Sequence, residues 1–366
     1  MANADFSHTR NDLSTQWLDA TLRQAGAIGR SKVASVTVTP IEGGSGGSVF
    51  RVSLSYDTHE SSAPVSLIAK LPPRKGTDAH RIMTDMGMPV TEAKFYRELA
   101  NHVDARTPQC YFSAYDIENR TGAVLIEDLG RMRLGRPGVS LDDARNALRS
   151  LARLHASMWN NPMLQQKAWL DWRDRVKPYA RCIRAWLDSL DQRFPCVLAD
   201  RAAAIIESAL QDLPSAISRL SRPPVTLVHG DPWINNFAFD DKSRDSAVLF
   251  DWQLTARMRP GFDIACFLDI VPEYRTFDND DAWIEETDCL ARNYHSALTE
   301  FGVSDYSLDD LLSDRNLARA YTVTAGLWSQ MTLQDLIGPE FVRNVREWSE
   351  RLVERTDALG RTGSGE

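Results

Sequence analysis

The feature that most restricts how this chain can fold is a change of hydrophobic rhythm about a third of the way along it. Up to Leu129 the apolar residues alternate with polar ones in short runs, and from Leu141 onward they recur at helical spacing over long stretches. A pleated strand needs a period of two and a helix a period near 3.6, so one pattern does not serve both. The chain therefore divides into a sheet-rich first part and a helical second part.

In the first part, a helix near Ser14 to Ala25 precedes a hairpin over Ala34 to Tyr56, ASVTVTPIEGGSGGSVFRVSLSY. A strand from Val65 to Leu71 is closed by Pro72 and Pro73, and a helix over Thr91 to Val103 follows it. Two more strands are predicted near Gln109 to Asp116 and Ala123 to Leu129. Beyond them DDARNALRSLARLHASMW, ADRAAAIIESALQDL and WIEETDCLARNYHSALTEF read as helices, interrupted by the short apolar runs VTLVHG and AVLFDW. The predicted organisation is an α+β chain of 366 residues: a sheet-bearing lobe over 1–126, a hinge and helical lobe over 127–359, and a polar tail over 360–366.

A formal charge of -8 argues against DNA or RNA as the main ligand, because such binding draws on clustered Lys and Arg. The five cysteines are scattered and form no C-x-x-C pair, which fits a reducing compartment without a zinc site. No run of about twenty apolar residues is present. The expectation is a cytoplasmic protein with no membrane partner, of open oligomeric state.

The chemistry concentrates in LVHGDPWINNFAFDDKSRDSAVLFDW, where one apolar strand delivers His229-Gly230-Asp231 and another delivers Asp251, with Asn236 between them. Phosphoryl transfer needs a carboxylate beside the attacking hydroxyl and oxygen ligands for a magnesium ion that bridges phosphates. Asp231 suits the first task, Asn236 and Asp251 the second. The pattern HGDxxxxN, followed by an apolar strand ending in Asp, resembles the aminoglycoside phosphotransferase and choline kinase superfamily, relatives of the protein kinases. Trp233, Asn235-Asn236 and Asp251-Trp252-Gln253 look most similar to its ecdysteroid-kinase-like branch.

The resemblance implies a protein kinase-like bilobal fold and roles for further residues. Gly44, Ser45, Gly46, Gly47 and Ser48 stand where the family's phosphate-covering loop lies, although Gly/Ser-rich hairpin turns are common in any protein. Lys70, at a strand end, resembles the lysine that contacts the nucleotide phosphates; Glu92 resembles its partner, with Glu98 the alternative on the same helix. Glu127 falls in the segment that would face the nucleotide base. His229 and Asp263 would support the catalytic loop, the latter by bracing its backbone; Asp263 as a simple helix cap is the plainer reading. His155, in LARLHAS, reads as a packing and hydrogen-bonding residue on a helix.

Asp263 follows Asp251 by only twelve positions and no A-P-E sequence intervenes, which disfavours a peptide acceptor. The implied activity is magnesium-dependent transfer from ATP, or GTP, to the hydroxyl of a small molecule. Acidic residues from Glu273 to Asp288 would attract a cationic acceptor, with Tyr274 or Trp283 stacking on it, or would simply favour a helix start. Trp169, Trp172, Trp186, Tyr274 and Trp328 would line a pocket for a hydrophobic acceptor or pack a core. The rivals are AMP transfer on the same fold and a non-catalytic nucleotide-binding scaffold.

Overall fold

A computed structural model describes residues 9–41, 48–72, 76, 78–136, 140–240, 243–269, 280–332 and 339–362. The first elements are α1 (Thr15–Gln24), β1 (Val33–Pro40), β2 (Ser48–Tyr56), β3 (Ser66–Leu71), α2 (Asp78–Asp85) and α3 (Met88–Glu98). Then come β4 (Cys110–Asp116), β5 (Thr121–Glu127), β6 (Arg133–Leu134), α4 (Leu141–Ser157), α5 (Pro162–Gln165), α6 (Arg173–Arg193) and α7 (Asp200–Leu220). The chain continues through β7 (Thr226–Val228), β8 (Phe237–Asp240), β9 (Ser243–Leu249) and β10 (Ala256–Met258). It ends with α8 (Gly261–Asp269), α9 (Asp280–Glu300), α10 (Leu308–Thr332) and α11 (Pro339–Thr362). None of the described helices is long and apolar enough to cross a membrane.

Two compact units emerge: the first comprises 1–134, 238–243 and 248–255, and the second 135–237, 244–247 and 256–366. The first holds an antiparallel five-stranded sheet in the order β1-β2-β3-β5-β4. Strand alternation gives β3 two different faces. Leu67, Ala69 and Leu71 join a core with Leu18 and Leu22 of α1, and Lys70 points to the other face, where α3 packs. Residues 121–126 of β5 are all buried, as befits a strand covered on both sides. Gly122 lets the start of α3 close on the sheet: a Cβ there would lie 2.2 Å from the Pro89 carbonyl oxygen.

The helix expected over Thr91 to Val103 starts and ends earlier. Gly87, in a left-handed conformation at φ 67°, precedes it and Pro89 occupies its first turn, where the missing N–H is harmless. Leu99 leaves helical geometry, and Ala100–His102 is a separate 3-10 turn.

A polar lock secures the connection between α1 and β1. The Glu60 carboxylate accepts bonds from the backbone N–H groups of Gly29, Arg30 and Ser31 and from the Ser31 hydroxyl at 2.7 Å. The Ser31 hydroxyl and these amides hold its pKa down at about 2, from an ordinary 4.5. A depressed carboxyl stabilises the fold above its unfolded pKa and ceases to do so as pH falls through the folded value. Glu60→Gln is expected to melt below the wild type at neutral pH, with the gap closing as pH falls from about 4.5 toward 2. Thermal melts across that range test it; a gap independent of pH would remove the charge from the explanation.

In the second unit α4 shows why its sequence is helical. Ser140 caps its first turn by accepting from Asp143 N, Asp142 and Asp143 favour that end electrostatically, and a buried stripe runs from Ala144 through Leu148 and Leu151 to His155. In α8, residues 261–268 are all buried. The helical unit also packs Trp172, Tyr179, Phe262 and Tyr321 ring against ring, with Trp328 stacked on Tyr179. Trp172 is fully buried and Trp186 nearly so, which makes both core residues. Trp283 is buried beneath the Arg355 guanidinium. Glu273, Tyr274 and Asp278 lie outside the described residues, whereas Asp280 and Asp281 sit in the first turn of α9 and Asp288 pairs with Arg315.

Candidate active site

The singled-out residues form two groups, one in each unit. In the first unit the Lys70 ammonium lies 2.7 Å from Glu92 Oε1 and 2.8 Å from Asp251 Oδ1. Strand β3 supplies the lysine, paired with Val49 and Val124 on its neighbours, and α3 supplies the glutamate. Strand β9 ends at Leu249, and Asp251 then takes a left-handed backbone conformation at φ 69° before a 3-10 turn over Trp252–Leu254. Trp252 fixes that turn by stacking on Phe95 of α3, with centroids 3.8 Å apart and planes within 7°.

Burial by itself would push the Lys70 pKa down, but the charges of Asp251 and Glu92 outweigh it and the value rises. Glu92 moves up, because burial outweighs the attraction of Lys70 and the nearby Asp251 charge adds to it. Gln253 also hydrogen-bonds Glu92. A cavity lined by Val49, Lys70, Met83, Glu92, Val124 and Gln253 adjoins this group. Glu98 instead accepts from the Tyr115 hydroxyl, and Glu127 exchanges bonds with the backbone of Gln109.

The second unit holds Asp231 in the loop that follows β7. The Asn236 side-chain NH2 donates to the Asp231 backbone carbonyl at 2.8 Å and to its carboxylate at 3.3 Å. His229 is fully buried, and its Nδ1 accepts from Asp231 N at 3.4 Å. Asp263, in the first turn of α8, accepts from the backbone N–H groups of His229 at 2.6 Å and Gly230 at 2.9 Å, which grips the loop as a brace rather than capping its own helix. Gly230 has φ 86°, a conformation that favours glycine.

Gly44, Ser45, Gly46 and Gly47 lie outside the described residues; Ser48 opens β2 opposite Leu71. The two expected metal ligands offer oxygen donors of the kind magnesium prefers. Asn236 turns its NH2 toward Asp231, leaving its amide oxygen for a cation, and Asp251 gives only Oδ1 to Lys70. The donor chemistry therefore fits.

Sequence reasoning gave no role to Gln253 or to the Phe95–Trp252 stack. The signals were their closeness to Asp251 and Glu92 along the chain and, for Trp252 and Gln253, their place in the branch resemblance. Gly135 is another such residue. Its N–H donates to Phe237 O at 2.8 Å, and a Cβ on it would stand 1.9 Å from the Ile234 carbonyl oxygen, inside the turn that carries Asn236. Gly135→Ala is expected to cost about 1–3 kcal/mol of stability, as overpacking against backbone does. Chemical denaturation measures this, and an unchanged midpoint would show that the turn yields freely.

The profile of the ecdysteroid kinase-like family matches residues 45–302. Among solved structures, APH(2")-IIia bound to GDP and kanamycin aligns with a TM-score of 0.53 at 13% identity, covering 94% of this chain and 99% of that one. A candidate aminoglycoside phosphotransferase from Ralstonia eutropha JMP134 aligns at 0.51 and 14% identity, covering 93% and 96%. The amicoumacin kinase hAmiN, in complex with AMP-PNP, Ca2+ and Ami, aligns at 0.51 and 13% identity, covering 94% and 97%. No curated protein matches by sequence. The structural likenesses show a kinase-like fold, and the profile match across most of the chain places it in the ecdysteroid kinase-like family.

Proposed function

We propose that this chain is a kinase that moves the γ-phosphoryl group of ATP, with magnesium, onto a hydroxyl of a small-molecule acceptor. The observation that carries the reading is Lys70 held between Glu92 and Asp251, a fixed cation able to meet phosphate oxygens. Asp231 orients the acceptor hydroxyl and takes its proton as the new O–P bond forms. The bond from the γ-phosphorus to the bridging oxygen breaks, ADP leaves, and the proton passes to solvent. Asn236 and Asp251 would hold magnesium, which supplies charge neutralisation on the phosphates. Asn236 also keeps the Asp231 carboxylate in place through its side-chain NH2.

The neighbours' ligands, GDP in one and AMP-PNP in another, support nucleotide use and leave GTP as an alternative donor. Kanamycin and amicoumacin are small molecules, and with the short run from Asp251 to Asp263 they favour a small acceptor here. Its class, cationic or hydrophobic, is for the assay to decide. All five cysteines are free thiols, in keeping with action in the cytoplasm.

The experiment is a magnesium-dependent screen of nucleotide products over aminoglycosides, choline-like amines, sugars and hydrophobic alcohols. Acceptor-stimulated ADP release is the expected result. Pyrophosphate release would replace the reading with nucleotidyl transfer, and nucleotide binding without turnover on any acceptor or on water would replace it with a non-catalytic scaffold.

A further inference from the structure

Behind the Asp231 loop lies a chain of buried polar groups that the proposed chemistry does not use. Asp263, His155 of α4 and Tyr294 of α9 are each 0% exposed. His155 Nε2 lies 3.1 Å from Asp263 Oδ2, and His155 Nδ1 lies 2.6 Å from the Tyr294 hydroxyl. The rings of His155 and Tyr294 meet edge to face at 5.7 Å, so the phenol is fixed by packing as well as by its bond. The Thr226 hydroxyl donates to the His155 carbonyl at 2.7 Å and ties α4 to the strand that feeds the loop.

Donor and acceptor counting gives this chain a direction. The Asp263 carboxylate receives the N–H groups of His229 and Gly230 and faces Nε2 of His155. An ionised carboxylate only accepts, so Nε2 carries a hydrogen. The state of Nδ1 is then set by its own partner. Burial, followed by the Asp263 charge, holds the Tyr294 pKa well above its ordinary value, so the phenol keeps its proton and has it to donate.

We propose that Tyr294 is a positioning residue: by donating its O–H to His155 Nδ1 it keeps the imidazole hydrogen on Nε2, the tautomer that completes Asp263's hold on the loop bearing Asp231. A phenylalanine would fill the same space, so packing does not account for the hydroxyl. Without that hydroxyl, Nδ1 becomes a buried acceptor with its donor removed, and the ring, Asp263 and the loop amides lose a common reference. The consequence for turnover rests on the kinase reading; the tautomer does not.

Nitrogen NMR of the full chain carrying isotope-labelled histidine reads the tautomer directly, with the His155 signals assigned by their loss in His155→Gln. In the wild type Nε2 is expected to be protonated and Nδ1 to be an unprotonated, hydrogen-bonded nitrogen; a hydrogen on Nδ1 overturns the proposal whatever reaction the protein performs. In Tyr294→Phe the Nδ1 resonance is expected to move, and a fixed resonance overturns the proposal. Should that variant not fold, the wild-type spectrum decides. With water as acceptor, Tyr294→Phe is expected to lower kcat for magnesium-ATP hydrolysis roughly 10-fold with KM unchanged. In a His155→Gln background, where no tautomer exists, the same substitution is expected to cost little. Equal losses in both backgrounds would assign Tyr294 to packing alone.

Discussion

Asp231→Asn is expected to lower phosphoryl transfer by on the order of 100- to 10,000-fold, the range of a lost general base, with nucleotide affinity and melting temperature unchanged. The separation of effects follows from the geometry. An asparagine keeps an oxygen for the Asn236 NH2 that lies 3.3 Å from the native carboxylate, and the backbone bond from Asn236 to the Asp231 carbonyl does not depend on the side chain. What disappears is the capacity to accept a proton. The measurement is ADP release with any acceptor that stimulates it, alongside calorimetric nucleotide binding. Full turnover by the variant would dismiss Asp231 as the base.

Lys70→Met is expected to affect binding and stability together. The wild-type lysine side chain is 17% exposed and bridges two carboxylates, of which Glu92 is 4% exposed. Removing the shared cation leaves Glu92 and Asp251 near each other with nothing between them, at an expected cost of about 3 kcal/mol. The cost depends on pH. Glu92 already has a raised pKa, first from burial and then from the Asp251 charge, and losing Lys70 raises it further. A carboxyl with a raised folded pKa favours the folded state below its unfolded value and loses that contribution as pH rises through the folded one. The stability deficit of Lys70→Met should therefore be largest at neutral pH and shrink toward about 4.5, the ordinary glutamate value. Denaturant titrations at several pH values test this, and a deficit that does not vary with pH would remove the carboxylate pair from the account. Weaker magnesium-ATP binding is expected in parallel.

What could be read ahead of the structure depended on whether an interaction left a trace along the chain. Lys70 and Glu92 did, because a strand-end lysine after a glycine-rich turn and a glutamate on a following helix form an ordered series. The Asp231 to Asn236 spacing did as well, since both stand on one short loop. Contacts between distant segments left none. Tyr294 meets His155 across 139 positions, and to the eye it is one more aromatic residue in a periodic helix. Asp263 illustrates the intermediate case: its place in a first helical turn suggested a cap, the family resemblance implied a brace on the catalytic loop, and the fold sets its carboxylate on the amides of residues 34 and 33 positions away. Gly135 was invisible for a different reason, because its importance lies in the absence of a side chain beside Ile234.

The first unit is not one continuous stretch of chain, since it takes in residues 238–243 and 248–255 after the excursion that begins at 135. During synthesis, Lys70 and Glu92 emerge long before Asp251, and at roughly 5–20 residues per second the wait is on the order of ten seconds. Through that interval a nascent first unit has the lysine and glutamate but neither the second carboxylate nor the Trp252 ring that stacks on Phe95. On the proposed kinase function, nucleotide affinity should therefore appear late on the ribosome, after residue 255 has left the exit tunnel, even though the sheet that presents Lys70 is encoded within the first 127 residues.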